Sequence, residues 1–341
     1  MSGAKKIWIS TALLLVLVGV VLSVGTLVMI GFDFSRLNTM EFVTNTYEVE
    51  QPFTHISVEA AEADIRLVRS ETNECKVVCT EGDKITHTVT VRENTLFITR
   101  RDERKWYERS GIYWGDMSIT VYLPGDSYDS LEISTMSSDV TVPEEFTFET
   151  VQIDTASGEI SFTAAANKSL RLKTLSGDLT ATELTAETLT LQTTSGDMEL
   201  TGLFADSATI STTSGDLTLR TVRAQAELSV KTVSGDLKLE DTSARTLTLQ
   251  ATSGDLHLTD TTASDRMDLE TVSGDIRLEQ CDGGSLRIKT ISGDVRGTLR
   301  SGKRFETHTT SGTMDVPYSV PAGGACEIIT TSGDAAIRVE G

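Results

Sequence analysis

Ten acidic residues recur at a nearly constant interval through the last two thirds of the chain: Asp139, Glu159, Asp178, Asp197, Asp216, Asp236, Asp255, Asp275, Asp294 and Asp334. Each closes a Ser-Gly-Asp triplet or a close variant of it, and carboxylates so arranged could bind a hard cation, share acid and base roles, or accept hydrogen bonds from the backbone. Stacked ~4.8 Å apart they repel by about 1 kcal/mol per pair in water and ~3.5 kcal/mol at an effective dielectric of 20, so the column needs compensation. One form of compensation is a Ca2+ ladder along Asp178, Asp197, Asp216, Asp236, Asp255, Asp275 and Asp294. The other is donation from corner N–H groups into each carboxylate. Calcium wants 6 to 8 oxygens, and one Gly with one Asp per corner is a sparse supply, which favours the hydrogen-bonded reading and no cofactor. An acid pair for glycan cleavage needs local asymmetry to separate two pKa values, and near-identical corners do not provide it.

Other catalytic constellations are absent from the pattern. His55, His87, His257 and His308 are scattered among strand-like segments, and neither H-x-x-x-H nor C-x-x-C spacing occurs. Ser-Gly-Asp is followed by strand rather than helix, unlike a nucleophile elbow. The expectation is therefore no enzyme. Cys75 and Cys79 lie in one alternating strand, about 13 Å apart along it, and Cys281 and Cys326 occupy unlike repeat positions, so all four read as buried small hydrophobes.

Specific recognition is expected where the pattern breaks. The segment Arg100 to Trp114 holds two of the three Trp. Its Arg104, Trp106, Tyr107, Arg109, Tyr113 and Trp114 suit an envelope polymer or a protein hot spot. The same aromatics would equally serve as a plug over an open solenoid end.

The elements that position these residues follow from the repeat. The triplet recurs from Ser137 to Ser332 in eleven copies, spaced by 19 to 21 residues. Apolar residues alternate on both sides of it, as in Leu189 and Leu191 before, and Met198 and Leu200 after. Two short strands joined by a tight bend cannot bury their own apolar face, but stacked copies can, which predicts an all-β, single-stranded parallel β-helix about 50 Å long. The inward Thr before each corner, for example Thr174, Thr193, Thr212, Thr232, Thr271 and Thr290, is expected to form a hydroxyl ladder. The 51 Thr against 5 Pro agree with extended structure. A formal charge of -20 excludes nucleic acid as a bulk partner.

Ahead of the array, Ile7 to Ile30 carries no charged side chain over 24 residues, preceded by Lys5 and Lys6. As a helix it would be about 36 Å long, enough for a bilayer core. It exceeds the usual apolar region of a cleaved signal peptide, so an uncleaved single-pass anchor is expected, with the N-terminus cytoplasmic and the repeat array outside the cell. The expected division is a cytoplasmic tail over 1–6, the anchor over 7–30, a linker over 31–51, irregular β coils capping the array over 52–130 (a separate small β-domain being the alternative), and the regular repeat over 131–341. The abrupt end after Arg338 and Glu340 raises end-to-end self-association.

The L-x-L-x-T-x-S-G-D-L-x-L setting, as in Leu228 to Leu239, resembles the bacterial putative-adhesin family of β-strand-repeat proteins, which includes LiaG-like membrane proteins. The likeness covers about 52 to 341 and implies a β-solenoid in a bacterial cell envelope, without catalytic residues. Residue types and resemblance together point to a non-catalytic binding or scaffold protein. The alternatives are an accessory of a cell-envelope stress response acting through a membrane protein partner, and a polysaccharide-degrading enzyme.

Overall fold

The structure is a computed structural model that describes residues 3–29, 41–106 and 116–340; within the helix, side chains are described for 8, 11–26, 28 and 29. From residue 127 onward the chain winds as a parallel β-solenoid with three short faces. In one turn Leu228 and Val230 point inward from the first face, the backbone bends through Thr232 to Asp236, and Leu237 and Leu239 point inward from the second. A single left-handed residue, Asp241 at φ 48°, makes the next bend, and Thr242 and Ala244 line the third face. Strand register stacks Leu217, Leu237, Leu256, Ile276 and Val295 in one column, all fully buried. Burying one leucine removes about 2 kcal/mol worth of apolar surface from water, and each turn repeats that gain against its neighbours.

The two bends of each turn obey different constraints. At the Ser-Gly bend the requirement is space: a Cβ on Gly215 would lie 2.1 Å from the Gly196 carbonyl oxygen, and one on Gly196 would lie 2.0 Å from that of Gly177. Backbone thus packs directly on backbone where the triplets stack. The second bend instead needs a positive φ, taken at 48° to 71° by Glu183, Gly202, Thr221, Asp241, Asp260 and Gln280. Five of these six are not glycine, so each turn carries a modest local strain that packing holds in place.

Both ends depart from simple winding. Near the N-terminus, β1 (Phe42–Val49), β2 (His55–Glu59), β3 (Ala63–Arg69), β4 (Cys75–Gly82), β5 (Ile85–Arg92), β6 (Thr95–Asp102), β7 (Met117–Leu123), β8 (Ser127–Ser134) and β9 (Val140–Val142) follow in chain order. In space β2 lies between β6 and β8, and β3 lies between β7 and β9, all parallel. The first coil of the chain is therefore second in the stack. β5 covers β6, β4 covers β7 and β1 covers β4, all antiparallel. The expected N-terminal coils are thus part coil and part antiparallel cap. Phe42–Val49, expected within the linker, is instead a paired strand of that cap.

The C-terminal end repeats the exchange. Ala325–Ile329 pairs with Leu286 to Lys289 on one side and with Arg304–His308 on the other. Ala335–Val339 sits likewise between Val295–Leu299 and Met314–Asp315. The strand that carries Arg338 is therefore not the outermost one: it pairs along its whole length with Val295–Leu299, and Met314–Asp315 covers its first two residues, Ala335 and Ala336, on the other side. Arg338 bonds Asp315 at 2.6 Å, and Glu340 accepts from Gln280 at 2.7 Å.

The N-terminal helix α1 runs Gly3–Met29. The anchor expected over 7–30 lies partly outside the described residues, its described side chains being 8, 11–26, 28 and 29, and among described residues no helix is long and apolar enough to cross a membrane. The four cysteines are buried and free, as expected. Burial pushes the Cys75, Cys79 and Cys326 thiols up to about 12, and Cys281 up to about 11.

If backbone contact at the corner limits the stack, Gly215→Ala should lower stability by about 3 kcal/mol in chemical denaturation, among the larger single-site losses. Gly125→Ala, where the nearest atom is the Tyr128 hydroxyl at 3.4 Å, should lose under about 1 kcal/mol. Equal losses at the two positions would contradict the packing argument.

Candidate functional site

The acid column forms, and its carboxylates bond between turns. Oδ1 of Asp178 accepts the backbone N–H of Asp197 at 2.9 Å, and the pattern continues through Asp216, Asp236, Asp255, Asp275, Asp294 and Asp334 at 2.8–2.9 Å. Each carboxylate therefore receives its donor from the neighbouring turn rather than from a turn of its own. Asp334 then accepts from Thr313 N–H and Oγ1, both at 2.8 Å, which lowers its pKa below the usual carboxylate range. At the other end Asp64 extends the column by accepting the Asp139 N–H at 3.0 Å, and Asp139 accepts that of Glu159 at 2.9 Å. Asp64 lies outside any Ser-Gly-Asp triplet, so repeat counting misses it.

Corner carbonyls are committed as well. Leu217 N–H donates to the Asp236 carbonyl at 2.9 Å, and Gly215 N–H to the Ser234 carbonyl at 3.1 Å. The inward threonines serve here: Thr174, Thr193, Thr271 and Thr290 donate their hydroxyls to Gly158, Gly177, Gly254 and Gly274 carbonyls at 3.3–3.4 Å. The threonine ladder therefore bonds between turns, with backbone carbonyls as its acceptors, while the Thr212 and Thr232 hydroxyls have no partner among the described residues. One oxygen per aspartate remains for other work. Arg277 takes it at Asp255 and Asp275, both 3.0 Å, and Arg296 takes it at Asp294, 2.6 Å. Towards the N-terminal side, Asp178, Asp197, Glu199 and Asp216 line an open recess of about 360 Å³.

Of the aromatic segment, Arg104 and Trp106 are described, whereas Tyr107, Arg109, Tyr113 and Trp114 lie outside the described residues. Arg104 forks onto Asp102 through Nε and an Nη at 3.0 and 2.9 Å, and these bonds hold the Asp102 carboxyl well below its ordinary pKa. Trp106 is 82% exposed, so its ring does not plug the solenoid end.

Two features escape spacing arguments. Cys79, Glu81 and His87 gather their ligand atoms within 4.8 Å of one another, across the turn between β4 and β5. The first face carries runs of aligned hydroxyls: register places Ser130, Thr150, Ser169, Thr188 and Ser207 in one column, ended by Glu227, and Thr190, Thr209, Ser229 and Thr248 in the next, between Arg171 and Asp268. Alternation in single copies shows that these residues point outward, but only the stacking shows that they align.

These geometries define an all-β parallel solenoid whose repeated acids are structural first. Its sequence matches the family model described as Toastrack DUF4097 over residues 53–240 and 206–341, and the chain belongs to that family. Solved structures similar to it include a putative adhesin from Bacteroides fragilis, at 16% identity over 88% of this chain and 97% of that one, TM-score 0.37. A putative adhesin from Parabacteroides distasonis is 14% identical over 76% of this chain and 98% of its own, TM-score 0.45. A putative lipid binding protein from the same species is 15% identical, covering 83% and 96%, TM-score 0.38. No curated protein matches the chain.

The ladder makes a specific claim about the corner acids. Asp236→Asn retains an acceptor for the Asp255 N–H and should shift the denaturation midpoint little, whereas Asp236→Ala should cost about 1–2 kcal/mol by orphaning it. An equal cost for Asn and Ala, with EDTA lowering wild-type stability to the same level, would instead assign the carboxylates to a metal.

Proposed function

We propose that the protein is a non-catalytic binding rod of the bacterial cell envelope, held to the membrane by its N-terminal helix with the solenoid outside the cell. The observation that carries the binding role is the pair of hydroxyl columns on the first face. Columns of Ser and Thr repeat along part of it at the ~4.8 Å spacing of stacked strands, and an open recess of about 390 Å³ runs over Ser130, Thr150, Ser169, Thr188 and Thr190, with Glu132, Gln152 and Arg171 beside them. A periodic polar surface suits an extended polymer that is itself periodic and rich in hydroxyls, such as a wall glycan. From Asp178 to Asp294 the corner acids each accept the next corner's N–H in the same way, and such a run lacks the asymmetry that acid and base catalysis needs.

Anchoring rests on the sequence and on exposure in α1. Leu13, Leu14, Leu15, Val16 and Leu17 are all between 59% and 67% exposed. Five consecutive residues at 100° each face every side of a helix, so no single neighbour could bury them, and a bilayer covers all sides at once. Lys5 and Lys6 then keep the N-terminus inside.

The test is sedimentation of the full chain, in detergent, with isolated bacterial walls and separately with membranes, with Ca2+ or EDTA. Wall binding should saturate, persist in EDTA and weaken about tenfold when Thr190 and Thr209 are both replaced by Lys. Failure to bind walls under any condition would overturn the polymer reading and move the partner to a membrane protein, as a stress-response accessory requires. Release of reducing ends or unsaturated products from the walls would contradict the non-catalytic role.

A further inference from the structure

The N-terminal cap contains a buried polar cluster that the binding role does not use. In β4 the inward positions are Cys75, Val77, Cys79 and Glu81, so a glutamate stands where the alternation calls for an apolar side chain, and it is 0% exposed. His87 of β5 faces it and is 4% exposed, while Cys79 is 0% exposed. Glu81 Oε2 accepts the His87 backbone N–H at 2.6 Å and contacts His87 Nδ1 at 2.9 Å. Its Oε1 accepts Asn45 Nδ2 at 2.6 Å and the Tyr47 hydroxyl at 2.9 Å, both from β1.

We infer that Cys79, Glu81 and His87 form a site for one borderline divalent cation of the zinc type, built into the cap. The three offer a thiolate sulfur, a carboxylate oxygen and an imidazole nitrogen, the ligand set Zn2+ takes, with their atoms within 4.8 Å of one another. Charge favours it: a dication with one thiolate and one carboxylate sums to zero, whereas without an ion the buried Glu81 carboxylate rests on its hydrogen bonds from His87, Asn45 and Tyr47. Apolar residues of similar volume would hold a core at least as well as a buried polar pair, so packing alone gives no reason for this set. Asn45 and Tyr47 occupy the place of outer partners, orienting the carboxylate through its other oxygen. On binding, sulfur, oxygen and Nδ1 each form a bond to the ion, the Cys79 proton leaves to the buffer, and His87 binds as the tautomer with its ring proton on Nε2. Three protein ligands leave the fourth position of a tetrahedron to water. Bound there, the ion would clasp β4 to β5 and, through Asn45 and Tyr47, hold β1.

The test uses the full chain in detergent, produced with zinc in the medium and analysed for metal content, then stripped with a chelator and titrated with Co2+. The expected result is about one metal per chain, with Co2+ giving a sulfur-to-metal charge-transfer band that Cys79→Ser abolishes and Cys75→Ser keeps. Asn45→Ala and Tyr47→Phe, which leave all three ligands in place, should weaken Co2+ binding about 10- to 100-fold, and they serve where a ligand variant fails to fold. Absence of bound zinc together with no Co2+ band in the folded wild type would overturn the site, leaving Glu81 as a hydrogen-bonded latch. A band that survives Cys79→Ser would overturn it equally.

Discussion

Direct contact between the glycine backbone of one corner and the carbonyl of the next is the constraint on which the rest of the structure depends. A Cβ on Gly196 or Gly215 would stand 2.0 or 2.1 Å from the neighbouring oxygen, so no other residue fits without moving the stack. That closeness brings the Asp N–H of each turn within reach of the carboxylate before it, and the Thr hydroxyl within reach of the glycine carbonyl. The acid column is therefore a consequence of tight stacking: the donors it collects offset the repulsion that stacking creates, and Arg277 and Arg296 complete the compensation where they occur.

The same physics decides what is legible in the sequence. A residue required by close approach must be glycine, so the Ser-Gly corner repeats visibly, and the alternating leucines beside it disclose the core. The second bend requires only one left-handed residue, and Glu183, Thr221, Asp241 and Gln280 all accept it under packing, so no common residue type marks it. Coil order at the two ends is equally hidden. Every turn presents the same apolar columns, and so the pattern does not say that Ala335–Val339 enters beneath Met314–Asp315 or that β2 enters beneath β6. The cysteine, glutamate and histidine of the cap meet across a turn, where linear spacing carries no information; the one trace is a glutamate at an inward strand position.

Enclosing the first and last coils has a physical advantage. A chain end that forms the outermost strand frays, because one side of its ladder is open and its conformational entropy is highest. Here His55–Glu59 is bonded on both sides throughout, and Ala325–Ile329 over Cys326 to Ile329. Ile65, Arg66, Ala335 and Ala336 also have partners on both sides, and the solenoid strands beyond them are internal segments tethered at both ends. The N-terminal side is further covered by antiparallel strands, which block continued parallel addition at that end. The proposed binding role requires a long, regular surface between two secured ends, and the hydroxyl columns of the first face lie on that span.

Amide hydrogen exchange on the full chain tests the stacking account most directly, because it reads position in the stack rather than position in the sequence. The account predicts that 325–339 is protected more strongly than 304–315, although it lies closer to the chain end, and that 55–69 is protected as well as the central turns. Protection that declines steadily from residue 295 to the C-terminus would contradict it.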